Sequence, residues 1–247
     1  MLRFFRQIRK SLLASGNARK YLLYALGEIL LVVLGILIAL QIDTWNENRK
    51  VQERQAEMLT DLRSDLVETR DGLTFGKEFN TLTLAHYRTL MKAIENGEPY
   101  SPKVDSASTY LPFFHVPRFT RTTYESIKSQ GLDLITNDAL KRQIAGLYEN
   151  TFLYLLEDQT RVEWSMYDNV TQPTINRYLR YRDNDDLTNL QVHPIDFEAM
   201  KADSGFVNYI SQLILIRAAG IQWYEGTIRE IDQVILSIDH ELETLKR

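Results

Sequence analysis

One carboxylate stands inside an apolar run: Glu28, in "YALGEILLVVLGILIALQ" (Tyr24 to Gln41). An acid within a bilayer supports two kinds of chemistry: relay of a proton or ion, or a polar contact to a partner helix. Gly27, Leu31, Gly35 and Ala39 recur every four residues beside it, so three small residues share one helix stripe. That spacing lets a second helix approach closely. Gly27, Glu28, Gly35 and Ala39 are therefore the expected helix-association residues. Relay through Glu28 is the sharper rival, and a glutamate that merely reaches the headgroups is the plainest reading.

Other reactive side chains are dispersed. His86, His115, His193 and His240 form no H-E-x-x-H or other tight metal-ligand spacing. There is no G-x-S-x-G, no phosphate-binding glycine loop and no dinucleotide fingerprint. The absence of cysteine excludes disulfides and thiolate chemistry, and it suits an oxidising compartment. "RDNDDLTN" (Arg182 to Asn189) resembles a calcium loop only loosely, because the glycine of the sharp turn is missing and Pro194 stands where a closing glutamate belongs. "NVT" at Asn169 matches a glycosylation sequon by composition alone. These patterns point to a protein that is not an enzyme and carries no metal or cofactor. One further group could bind a ligand or partner: Tyr110, Phe113, Phe114, His115 and Phe119, in a stretch with four prolines between residues 99 and 121. Aromatics in such a loop either line a pocket or plug the loop onto a core.

The elements that position these residues follow from charge and periodicity. Leu22 to Ile42 carries one charge and, at ~1.5 Å per residue, spans ~31 Å, close to the ~30 Å hydrocarbon core of a bilayer. Tyr21, Tyr24 and Trp45 flank it as interfacial aromatics. No A-x-A cleavage pattern follows, so an uncleaved anchor is expected over residues 21–44. Residues 1–27 hold six basic side chains and no acid, and Arg49, Lys50 and Arg54 follow the span. The excess of basic residues belongs inside, which places the N-terminus in the cytoplasm and residues 45–247 beyond the membrane. Residues 1–20 read either as a basic amphipathic segment on the inner leaflet or as a plain charged flank. The net charge of −4 leaves the body strongly acidic, which excludes nucleic acid as a partner.

Beyond Trp45, periodic apolar residues from Val51 to Ile94 predict a helix of roughly fifty residues, interrupted or kinked at Gly72 and Gly76 and stopped by Asn96-Gly97 and Pro99. Thr122 and Glu125 have capping-box spacing, and Gly131 fits a helix C-cap. Thr136 or Asn137 opens another helix, and Pro173 marks a break. From Phe206 to Leu245 an apolar seam recurs at steps of three or four, with Arg217 on it. The seam packs along the first long helix or zips with a second copy as a coiled coil. No strand alternation is evident. The expected fold is all-α: an N-terminal transmembrane helix followed by an elongated extracytoplasmic helical bundle with two long helices.

"GNARKYLLYALGEILLVVLGILIALQIDTWNENRK" (Gly16 to Lys50) and "TTYESIKSQGLDLITNDALKRQIAGLYE" (Thr122 to Glu149) together resemble a bacterial family of single-pass membrane proteins, domain of unknown function 6090. The resemblance spans most of the chain, the last hundred residues matching only in character. It implies a protein of the bacterial cell envelope and brings no catalytic residues. The combined expectation is a membrane-anchored, non-enzymatic interaction or scaffold protein in the inner membrane with a periplasmic domain. Its partners would be the lipid bilayer and a second copy or another membrane protein. Two rivals stand beside it: a ligand-sensing bundle using residues 110–119, and an ion-coupled, stator-like accessory using Glu28.

Overall fold

The computed structural model describes residues 18–182 and 191–246. The basic N-terminal segment and most of the acidic Arg182–Asn189 stretch lie outside the described residues, as do the side chains of Tyr21 and Tyr24. The fold is all-α, with one short two-stranded ladder. Contacts divide the chain after Gln55, the second unit being Ala56–Arg247.

Within the first unit the described residues belong to helix α1 (Ala18–Glu95). No proline interrupts it, and it is rich in leucine. It contains a stretch long and apolar enough to cross a membrane, none of which is buried against the rest of the chain.

In the second unit α1 continues without a break through Gly72 and Gly76, contrary to the expected interruption. Neither glycine has positive φ. A β-carbon at Gly72 would meet nothing within 4 Å, whereas one at Gly76 would lie 2.5 Å from His115 Nδ1 and 2.6 Å from Tyr224 Cε2. Gly76 is thus a packing residue, not a hinge. α1 ends as its sequence requires: Gly97 has φ +64°, Glu98 N–H donates to Ala93 O, and Gly97 N–H donates to Ile94 O. This is the paired closure of a Schellman motif.

Helix α2 (Pro102–Ser108) follows, then the aromatic loop, then α3 (Thr122–Gln130). The start of α3 is where the capping-box spacing puts it, but the device differs. Arg121 occupies the cap position without a side-chain cap bond. Instead Asp65 of α1 accepts from Thr123 N–H at 3.1 Å, and Glu125 pairs with Arg121 at 2.8 Å. The first turn of α3 is therefore capped from another helix. Gly131, at φ +104°, releases α3 into a 3₁₀ turn, Leu132–Leu134.

Asn137 then caps α4 by accepting from Ala139 and Leu140 N–H. The helical path α4 covers residues 138–178 and contains π-turns at Leu147–Thr151, Leu155–Gln159 and Tyr167–Thr171. Pro173 does not break it. Proline lacks a donor and crowds the carbonyl four residues back, and the widened π-turn just before it absorbs both defects. Two strands, β1 (Leu179–Tyr181) and β2 (Val192–Pro194), pair antiparallel with Arg180 opposite His193, an element the sequence reading missed. Each has three residues, too few to show an alternation. Helix α5 (Phe197–Ala202) leads to α6 (Ser204–Leu245), capped by Asp203 through Gly205 and Phe206 N–H.

The apolar seam of α6 is consumed inside the chain. Ile231, Val234, Ile235 and Ile238 pack with Leu59, Leu62, Leu66 and Leu73 of α1 and with Tyr124, Ile144 and Phe152. Phe206, Tyr209, Ile210 and Leu213 pack with Tyr87 and Leu90 of α1, Val104 of α2 and Val192 of β2. Full burial of each such side chain contributes about 1.5–3 kcal/mol. Arg63 grips Asp239 at 2.6 Å, and Arg70 reaches Asp232 at 3.6 Å. The rising number on α1 against the falling number on α6 makes the pair antiparallel.

Candidate functional site

The four residues expected to associate helices all lie on the exposed stretch of α1. A β-carbon at Gly27 or Gly35 would have nothing within 4 Å, and Ala39 is exposed. Glu28 is only partly exposed. Around them the leucine, isoleucine and valine side chains from Leu22 to Ile42, and Trp45, keep 46–66% of their surface open. This exposed apolar stretch is the part of α1 that is long and apolar enough to cross a membrane.

The aromatic loop is mostly a plug. Phe119 packs on Phe152 at 4.5 Å, and Phe114 meets Trp164 edge-on at 5.0 Å and Tyr167 at 5.5 Å. His115 Nδ1 lies 3.2 Å from the Tyr224 hydroxyl, beside Phe75. Burial lowers the pKa of His115, and the charges of Arg118 and Arg217 push the same way. Phe113 and Phe114 border a cavity of ≈ 10 Å³, about the room one water needs. Tyr110 is the exception. Its ring stacks on His86 at 4.1 Å and 17°, at the wall of an open cleft of ≈ 580 Å³.

Between the two apolar clusters lies a polar layer. Arg217 keeps only 2% of its side chain exposed and ties three helices together. It donates through Nη1 to Asn80 Oδ1 of α1 at 3.0 Å and through Nη2 to Glu163 Oε2 of α4. Burial works against its charge, but Glu163 and Tyr87 more than restore it, so its pKa is raised. Tyr87 is pushed up to about 12 by burial, and its hydroxyl donates to Tyr110 O. Gly220 makes the layer possible, since a β-carbon there would stand 2.9 Å from Asn80 Nδ2. The signal for this cluster was present in the sequence: an arginine at an apolar step of the α6 seam. Its partners were not legible, because Asn80 and Glu163 read as ordinary helix-surface residues.

Asn169 sits in a π-turn of α4 and donates to Ser165 O at 2.8 Å, so the sequon lies within a helix. Among the described residues no group of three His, Asp or Glu side chains could hold a metal ion.

These features define a class: an all-helical body in a chain that also carries a helical segment fit to cross a membrane. The chain belongs to the family of unknown function DUF6090, whose model matches residues 28–218. Comparison with curated proteins and with solved structures gives no significant match.

Proposed function

We propose that the protein is a membrane-anchored helical interaction module of the bacterial envelope, without catalytic activity, associating through its span with a second copy or with another membrane protein. The observation that carries this reading is the exposed apolar stretch of α1 with its open small-residue stripe. The charge asymmetry around the span favours a cytoplasmic N-terminus and an inner-membrane protein whose body, from residue 45 onward, is periplasmic. The intramolecular burial of the α6 seam favours association through the span over association through a coiled coil of α6.

The test is disulfide cross-linking in native membranes from single cysteines placed along residues 27–39. We expect cross-links at the stripe positions 27, 35 and 39, absent one or two residues away, and lost in Gly35→Leu. Uniformly absent cross-links, to itself or to any neighbour, would overturn the reading. Glu28→Gln separates the helix-pairing role from the ion-coupled one: retained assembly with lost function in cells would favour relay.

A further inference from the structure

The polar layer around Arg217 has one donor left over. A guanidinium carries N–H groups on all three nitrogens and accepts nothing. Nη1 of Arg217 is taken up by Asn80 and Nη2 by Glu163. Nε is buried and meets no acceptor among the described residues. With the side chain only 2% exposed, bulk solvent does not serve it either. A buried donor without an acceptor costs about 1–3 kcal/mol, and more when it carries charge. Protein interiors commonly satisfy such groups with a bound water.

Room for one is at hand. Arg217 and Glu163 share the wall of the ≈ 10 Å³ cavity with Thr171, which is 3% exposed. One water needs about 10–15 Å³ and two to four polar partners. Phe113, Phe114 and Leu213 supply the apolar part of the wall.

The wall also selects among small occupants. A cation would face the Arg217 guanidinium and an anion the Glu163 carboxylate, each stripped of its hydration. Water is neutral, and it accepts from one group while donating to the other. We propose that this cavity is a specific site for one bound water, which accepts from Arg217 Nε–H and donates to the Glu163 carboxylate. That water gives α4 and α6 a second polar link beside the direct ion pair. The proposal is independent of how the span associates.

The test is X-ray hydroxyl-radical labelling of the full chain in detergent, read by mass spectrometry. Radicals made from a bound water oxidise the side chains beside it, however buried they are. Leu213, 3% exposed, and Tyr87, 0% exposed, line the cavity. Leu62 and Tyr148, both 0% exposed, lie in the other apolar cluster and serve as their counterparts. We expect Leu213 and Tyr87 to be oxidised several times faster than Leu62 and Tyr148. After rapid mixing into heavy-oxygen water, the isotope should enter at Leu213 and Tyr87 later than at the exposed Leu215. Glu163→Leu with Arg217→Met removes both polar partners and should bring the Leu213 rate down to that of Leu62, with Leu215 unchanged. The proposal is overturned if the cavity residues of the unsubstituted chain are labelled no faster than their counterparts, whether or not the double variant folds. It is equally overturned if heavy oxygen reaches them as fast as it reaches Leu215, the mark of open solvent, or if fast labelling of Leu213 survives in the folded double variant.

Discussion

Glu163→Ala isolates the polar layer. The substitution removes a carboxylate 15% exposed and leaves Arg217, 2% exposed, with its bond to Asn80 but without its ion-pair partner. Breaking a buried pair from one side strands a desolvated charge, which costs about 3–5 kcal/mol. For a body of this size each kcal/mol lowers the melting temperature by about 2–4 °C, so the expected fall is roughly 6–20 °C. Replacing both partners, Glu163→Leu with Arg217→Met, removes the charge and its counter-charge together and should be neutral or stabilising by up to about 4 kcal/mol. Thermal unfolding of the full chain in detergent, followed at 222 nm, gives both numbers, and the fluorescence of Trp164, next in sequence to Glu163, reports the site directly. A fall of less than about 2 °C in Glu163→Ala, or a double variant no better than the single one, would refute the reasoning.

Two glycines of α1 should behave oppositely. Gly76→Ala drives a β-carbon into His115 and Tyr224 and should destabilise by about 1–3 kcal/mol, while Gly72→Ala, with open space around it, should stabilise by about 0.5–1 kcal/mol; urea midpoints decide. Asp65→Ala removes the cap of α3 and should cost about 0.5–2 kcal/mol by the same measurement. The body should be acid-sensitive. His86 and His115 have folded pKa values below the unfolded value of about 6.5. The unfolded chain therefore binds more protons in this window, and stability present above about pH 6.5 is lost as pH falls. Urea midpoints at pH 7.5 and 5.5 should show the fall, and His115→Gln should make it shallower.

How much of this was legible in the sequence depends on how local its cause is. The stop at Asn96-Gly97, the cap at Asn137 and the α6 seam are set by residues within a few positions of one another, and each is found where the sequence puts it. The misses have distant causes. Gly76 reads as a helix breaker until His115 and Tyr224 arrive against it from elsewhere. Thr122-x-x-Glu125 reads as a self-contained capping box, yet Asp65, far back in the chain, supplies the bond. Pro173 reads as a stop, but a π-turn just before it carries the helix through, and such a turn leaves no simple sequence pattern. The candidate sites divide in the same way. The exposed stripe on α1 is a periodicity, whereas Asn80, Glu163 and Arg217 converge only through the tertiary fold.

The antiparallel pairing of α1 with α6 also fixes an order of events during synthesis. Leu59 to Leu73 and Tyr87 to Leu90 are among the first body residues made, but both clusters are completed only by residues of α6. Contacts of such sequence separation carry a high loop-closure cost and form late. The nascent body must therefore hold two half-built apolar surfaces open until its final forty or so residues emerge, the interval in which exposed apolar surface invites aggregation or chaperone capture. A chain truncated before Ser204 never leaves that interval, so a premature stop there should yield an unfolded product, cleared by proteolysis.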